Sequence, residues 1–253
     1  MAKGREIDED MTSRWTKQGF DRLLNVQRPA VLAHLRIVRG QKPEAAPEEM
    51  IRILEQRYLA AVTTGGAAAG AAAVLPGVGT AASIAISGVE TAGFLEASAL
   101  FAQSVAEVHG IAVDDPERSS TLVMALMLGP TGANLVKQFA GEAAGTGPSR
   151  SAYWGELVTS RLPRQLLKRL TDRIRRNFLR RFAARQGVNV VLRAVPFGIG
   201  AVIGGTGNHM AGRQVVLATR DAFGPPPPTF PDQITVGFRR TVVPPIDAVE
   251  PAI

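Results

Sequence analysis

From Tyr58 to Val89 the chain runs 32 residues without a charge. Most of that run, VTTGGAAAGAAAVLPGVGTAASIAISGV over 62–89, is Gly, Ala, Ser, Thr and Val. Side chains this small let helix backbones come unusually close. Pro76-Gly77 in its middle is a helix stop and turn signal. The run therefore predicts two helical segments packed tightly against each other or against a neighbour. A second stretch, VLRAVPFGIGAVIGGTGN, is uncharged from Ala194 to Asn208 and repeats the scheme: a proline, then glycines, with Gly200 and Gly204 in a GxxxG relation. Helix-packing roles are expected for Gly66, Gly70, Gly77, Gly79, Gly200 and Gly204.

The remaining periodicity is helical as well. A short helix is expected over 12–26, and another after Pro29, with Val31, Leu32, Leu35 and Val38 at helical spacing up to Gly40. Pro47, Glu48 and Glu49 suit the first turn of a helix that runs into the glycine-rich stretch. A longer helix follows over 80–109. Asp115 and Pro116 form a cap and first turn for a short apolar helix that covers 121–128 and closes at Gly129-Pro130. Residues 131–150 read as loop-like, with a helix over 133–144 inside them. A basic helix follows over 161–185, and a last one over 210–223. GPPPPTFP and VVPP beyond Gly224 read as a polyproline-like tail with little core. The expectation is an all-α protein: a single helical domain with two glycine-rich helix-packing stretches, plus a Pro-rich C-terminal tail. Its divisions are an N-terminal helical extension (1–46), the helical domain (47–223) and the tail (224–253).

Several chemistries lack their residues. With no cysteine there is no disulfide, thiolate nucleophile or cysteine-based zinc site. The glycines at 198–207 are followed by Asn208 and His209, where a phosphate-binding loop needs Lys and Ser/Thr. His34, His109 and His209 are too far apart for a paired metal motif, and no serine sits in GxSxG. His109 with Asp114 and Asp115 is better read as a helix-terminal histidine than as a metal cluster. No catalytic residue, metal site or cofactor is expected. Glu90 ends the charge-free run among small apolar neighbours. The favoured place for it is a solvated boundary; were it buried, Arg213 or Arg193 would be its first partners to test.

The charge is concentrated. Between Arg161 and Arg193 there are 11 basic residues and one acid, Asp172, whereas the remainder has 18 basic and 21 acidic residues. The whole net charge of +7 thus comes from one segment. Within it Leu162, Leu166, Leu170, Ile174, Phe178 and Phe182 recur every fourth residue, joined by Leu167 and Leu179. An amphipathic basic helix of this kind attracts anions. The contact residues expected are Arg164, Lys168, Arg169, Arg173, Arg175, Arg176, Arg180 and Arg181. The first-choice partner is an anionic membrane surface or a membrane protein, with nucleic acid second. The oligomeric state is not legible. Gly, Ala, Ser and Thr dilute the charge-free runs too far for simple transmembrane spans, which leaves surface docking or shallow insertion. The charged N-terminus MAKGREIDEDM lacks an apolar core, so no secretory signal is expected.

LPG at 75–77, Glu90 13 residues after that glycine, VAEVHG at 105–110, DDPERSSTLVMALMLG at 114–129 and VPFGIGAVIGGTGN at 195–208 together resemble the EcsC-like family. The likeness spans about residues 29–223, is spread over many positions, and makes 47–223 an EcsC-like helical domain. The chain departs from the family pattern at Glu90, where Asp is usual, and at His109, where Tyr is usual. The resemblance implies an all-helical bacterial protein in a membrane-linked setting, associated by name with an ABC transporter operon. It implies no catalytic residues. The function expected is therefore non-enzymatic: a cytoplasmic protein, peripheral on the inner face of the plasma membrane and linked to transport or secretion, that binds lipid or a partner through its basic helix. The alternatives are a nucleic-acid-binding helical protein using the same arginines, or an enzyme with a polar pocket near Glu90 and Asn208.

Overall fold

A computed structural model of the chain describes residue 24, residues 26–72, 80–144, 153–192 and 199–232, and residue 234. The helix expected over 12–26 lies almost entirely outside the described residues, as do the Pro76-Gly77 turn, Gly79 and Arg193. What is described is helical, with no strand among the described residues.

The elements are α1 (Arg28–Gln41), α2 (Pro47–Ala72), α3 (Thr80–Val108), α4 (Pro116–Leu128), α5 (Pro130–Ala144), the short α6 (Trp154–Glu156) running into a π-helical turn (Leu157–Arg161), α7 (Arg164–Leu192) and α8 (Ile199–Phe223). The most extensive helix contact joins α2 to α8, with α3 packed along α2; α7 lies against α4 and α5. One continuous core links them, from Val31, Leu35 and Val38 of α1, through Leu122 and Leu126 of α4, to Leu170 and Ile174 of α7.

Local chemistry sets the boundaries. Asp115 caps α4, its Oδ1 accepting from the backbone N–H of Glu117 at 2.9 Å and of Arg118 at 3.1 Å. Gly129 closes that helix at φ 59°, and Pro130 starts the next at once. The segment read as loop-like from 131 is therefore helical from its first residue. Proline belongs in a first turn, where no backbone donor is needed. The turn is tight enough that a Cβ on Gly132 would run into the Ala125 carbonyl.

Helix α8 begins at Ile199, well ahead of the start expected near Met210. Glycine costs about 1 kcal/mol per residue in a helix interior, and here contact with α2 outweighs that. Helix α7 likewise continues to Leu192. The tail does not leave the domain at once. Gly224 (φ 74°) turns the chain, its N–H bonding to the Arg220 carbonyl at 2.9 Å. Arg39 then lies 4.7 Å over the Phe230 ring, and Ile234 is buried in the core. The residues just past α8 thus carry more core than their proline content suggests.

Two buried carboxylates are held by bidentate arginines. Glu107 on α3 receives Nε and Nη2 of Arg28 at 2.6 and 3.2 Å. Glu55 on α2 receives Nε and Nη2 of Arg220 at 2.7 and 2.6 Å. Each hydrogen bond to a carboxylate holds its guanidinium above the usual arginine range. On α1, burial and the nearby Arg57 push the His34 imidazole below its usual value, and its Nδ1 sits 3.2 Å from Ser104 Oγ.

Candidate functional site: an uncharged helical tip and a basic helix face

Helices α2 and α8 run antiparallel. Glu55 meets Arg220 near one end, Thr63 meets His209 midway, and Gly66 meets Gly204 near the other. At that last crossing a Cβ on Gly66 would lie 2.5 Å from the Gly204 carbonyl oxygen and 2.6 Å from Asn208 Nδ2. A Cβ on Gly204 would clash with the Gly66 carbonyl and reach 3.5 Å from Gly70 Cα. The glycine-rich stretches therefore meet backbone to backbone. Gly200 lies in the first turn of α8. Two further glycines of the seam are not singled out by the sequence pattern. Gly205 sits over Ala67 and Thr63, and Gly212 sits over Val62 and Leu59, leaving only 3.0–3.3 Å to the nearest atom for an added Cβ. Gly65 and Gly207 have open space beside them.

Polar side chains fix the register of this seam. Asn208 Nδ2 donates to the Val62 carbonyl at 3.3 Å and to Glu90 Oε1 at 3.2 Å, tying α8 to both α2 and α3. The half-buried Glu90 thus has an amide partner, and Arg213, first in line from the sequence, is exposed. Thr63 donates its hydroxyl to the Leu59 carbonyl at 2.6 Å, so His209 Nδ1, 3.0 Å away, carries the hydrogen and donates to it. Lower in the seam Ser98 donates to the Phe94 carbonyl and accepts from Tyr58 at 2.8 Å. Burial pushes the Tyr58 phenol well up, and its ring stacks on Phe101 at 4.7 Å. No group of three metal-ligating side chains occurs among the described residues.

Antiparallel pairing puts the last turns of α2 and the first turns of α3 and α8 at one end of the molecule. Residues 62–72, 80–89 and 199–210 there contain no Asp, Glu, Lys or Arg. The outer side of α2 exposes Ala61, Thr64, Gly65, Ala68 and Ala71. Two large apolar side chains stand out at the base of this tip, Val89 on α3 (75% exposed) and Met210 on α8 (68% exposed). Among the described residues no helix is long and apolar enough to cross a membrane.

Helix α7 presents the other half of the site. Its inner face buries Leu167, Leu170, Ile174 and Phe178. Thr171 meets Thr121 of α4 at 2.7 Å. Arg118 of α4 steadies the approach to α7, donating to the Val158 and Leu162 carbonyls at 2.7 and 2.8 Å. Leu179, assigned to the apolar stripe by its spacing, points outward instead. The eight basic residues divide. Arg181 donates to the Leu128 carbonyl and to Thr131 Oγ1, closing the α4–α5 turn. Arg169 lies 5.8 Å over the Phe139 ring, and Arg175 is half-buried and engaged within the fold. Arg164, Lys168, Arg173, Arg176 and Arg180 are exposed. The six residues between Leu192 and Ile199 keep the end of α7 within about 25 Å of the start of α8.

Comparison with family models, with curated proteins and with solved structures finds no match to this chain.

Proposed function

We propose that the protein is a peripheral membrane-binding protein that seats its uncharged helical tip at the lipid surface and holds anionic headgroups with the outer face of α7. The reading rests on three charge-free helix ends gathered at one end of the molecule and on the row of exposed cations along the outer face of α7. Each half is weak alone. A Lys or Arg near an anionic leaflet contributes about 1 kcal/mol, so three or four of the exposed cations give modest, salt-sensitive binding. Burying Val89 and Met210 adds roughly 2–4 kcal/mol if both are covered. Stable attachment takes two such signals together. The resemblance to the EcsC-like family points to the same membrane-linked, non-enzymatic setting.

Vesicle flotation at physiological salt tests the reading. The full chain is compared with Arg173→Gln/Arg176→Gln/Arg180→Gln and with Val89→Ser/Met210→Ser. Flotation with phosphatidylserine-containing vesicles, reduced in both variants, is expected. Flotation with neutral vesicles alone would overturn the role of α7. A chain that stays at the bottom of the gradient while binding duplex DNA through the same arginines would replace the membrane by nucleic acid.

A further inference from the structure

At the end of the α2–α8 pair opposite the tip, a half-open cleft of about 650 Å3 lies between the N-terminal half of α2, the C-terminal end of α3, the last turn of α8 and the turn at Gly224. That is the size of a small-molecule site. Ile51, Val105, Pro225 and Pro226 make its walls apolar. Glu55, Arg220, Arg52 and His109 also line it. Arg220 spends Nε and Nη2 on Glu55, and its side chain is 60% exposed against 8% for the glutamate. The pair therefore turns its cation outward, with Nη1 outside the pairing. Arg52 adds a second guanidinium, paired with the exposed Glu48 at 3.4 Å.

His109 is the group left incomplete. Its Nδ1–H donates to the Val105 carbonyl at 2.9 Å, and its ring stacks on Phe223 at 5.5 Å. Nε2 is buried without a hydrogen-bond partner. That nitrogen is closed off from the open volume of the cleft, so His109 contributes to its floor.

We propose that this cleft binds a small carboxylic acid with an apolar body. The carboxyl group meets the guanidinium groups of Arg220 and Arg52, whose planar forks match it. The body lies on Ile51, Val105 and the two prolines. An amine would face two cations, and a purely apolar molecule would make no use of them. The cleft lies far along α2 from the tip, so this site stands independently of membrane binding.

Calorimetric titration of the full chain with decanoate and with 4-phenylbutyrate, beside the neutral 4-phenylbutyramide, tests it. At least one acid is expected to bind one to one, about tenfold or more tighter than the amide. Arg52→Gln should weaken it by about fivefold while melting like the parent. Arg220 is left in place because its loss strands Glu55. Absence of acid binding, equal binding of the amide, or affinity unchanged in Arg52→Gln would overturn the proposal.

Discussion

Along α2 and α8 the contact is made by missing side chains, Gly66 against Gly204 and Gly205 against Ala67. Along α4 and α7 it is made by large ones: Leu167, Leu170 and Ile174 bury almost completely while the arginines of the same helix face out. The first interface has no spare volume, so it fails when atoms are added. The second is filled by flexible apolar side chains, so it fails when atoms are removed. The two also differ in what they leave outside. The seam ends in an uncharged tip, and α7 ends its outer face in cations.

The largest effect is expected at Gly66. Gly66→Ala places a methyl against a backbone oxygen that cannot swing away, and should cost about 3 kcal/mol or more in urea unfolding. One residue earlier, Gly65→Ala meets open space and should gain up to about 1 kcal/mol from helix propensity. Equal costs at the two positions would break the account of the seam. On the other side of the comparison, Leu170→Ala should cost about 2–4 kcal/mol through the cavity it opens. A cost under about 1 kcal/mol there would mean that α7 is not anchored by its inner face. Asn208→Ala removes the bonds to Val62 and Glu90 and should cost about 1–2 kcal/mol, with a lowered thermal midpoint as the readout. Smallest of all, Arg173→Gln/Arg176→Gln/Arg180→Gln should leave the midpoint of chemical unfolding within about 0.5 kcal/mol of the parent. A larger loss would reassign those arginines from surface binding to folding.

The all-helical fold was legible from the periodicity, and the close approach at the glycines from their company. Small residues in an uncharged run have few other uses. The remaining seam glycines were not legible, because Gly205 and Gly212 look no different in sequence from Gly207, which has open space beside it. Only the partner helix distinguishes them. The same limit applied to charge. Helical spacing gathered eight basic residues on α7, yet Arg181 is drawn to the Leu128 carbonyl and Arg169 to Phe139, partners fixed by how α4 and α5 dock. Glu90 stood out in the sequence as the end of the charge-free run, but its bond to the Asn208 amide across 118 residues left no trace there. Nothing in the sequence singles out the partners of Glu55 and Glu107. Their arginines lie 165 and 79 residues away, a distance over which pattern reading has no purchase.

The pairing of α2 with α8 also orders events in time. Thr63 and His209 are 146 residues apart, and nearly all the chain between them must be made before the seam can close. At ribosomal speeds that is roughly 7–30 s. Through that interval the small-residue face of α2 waits without its main partner, while α4 and α5, neighbours in sequence, already have each other. Long-range contacts of this kind form late and slowly. The nascent chain is thus most adhesive along the α2 surface that becomes the seam, and a bilayer or chaperone near the ribosome would meet that surface first.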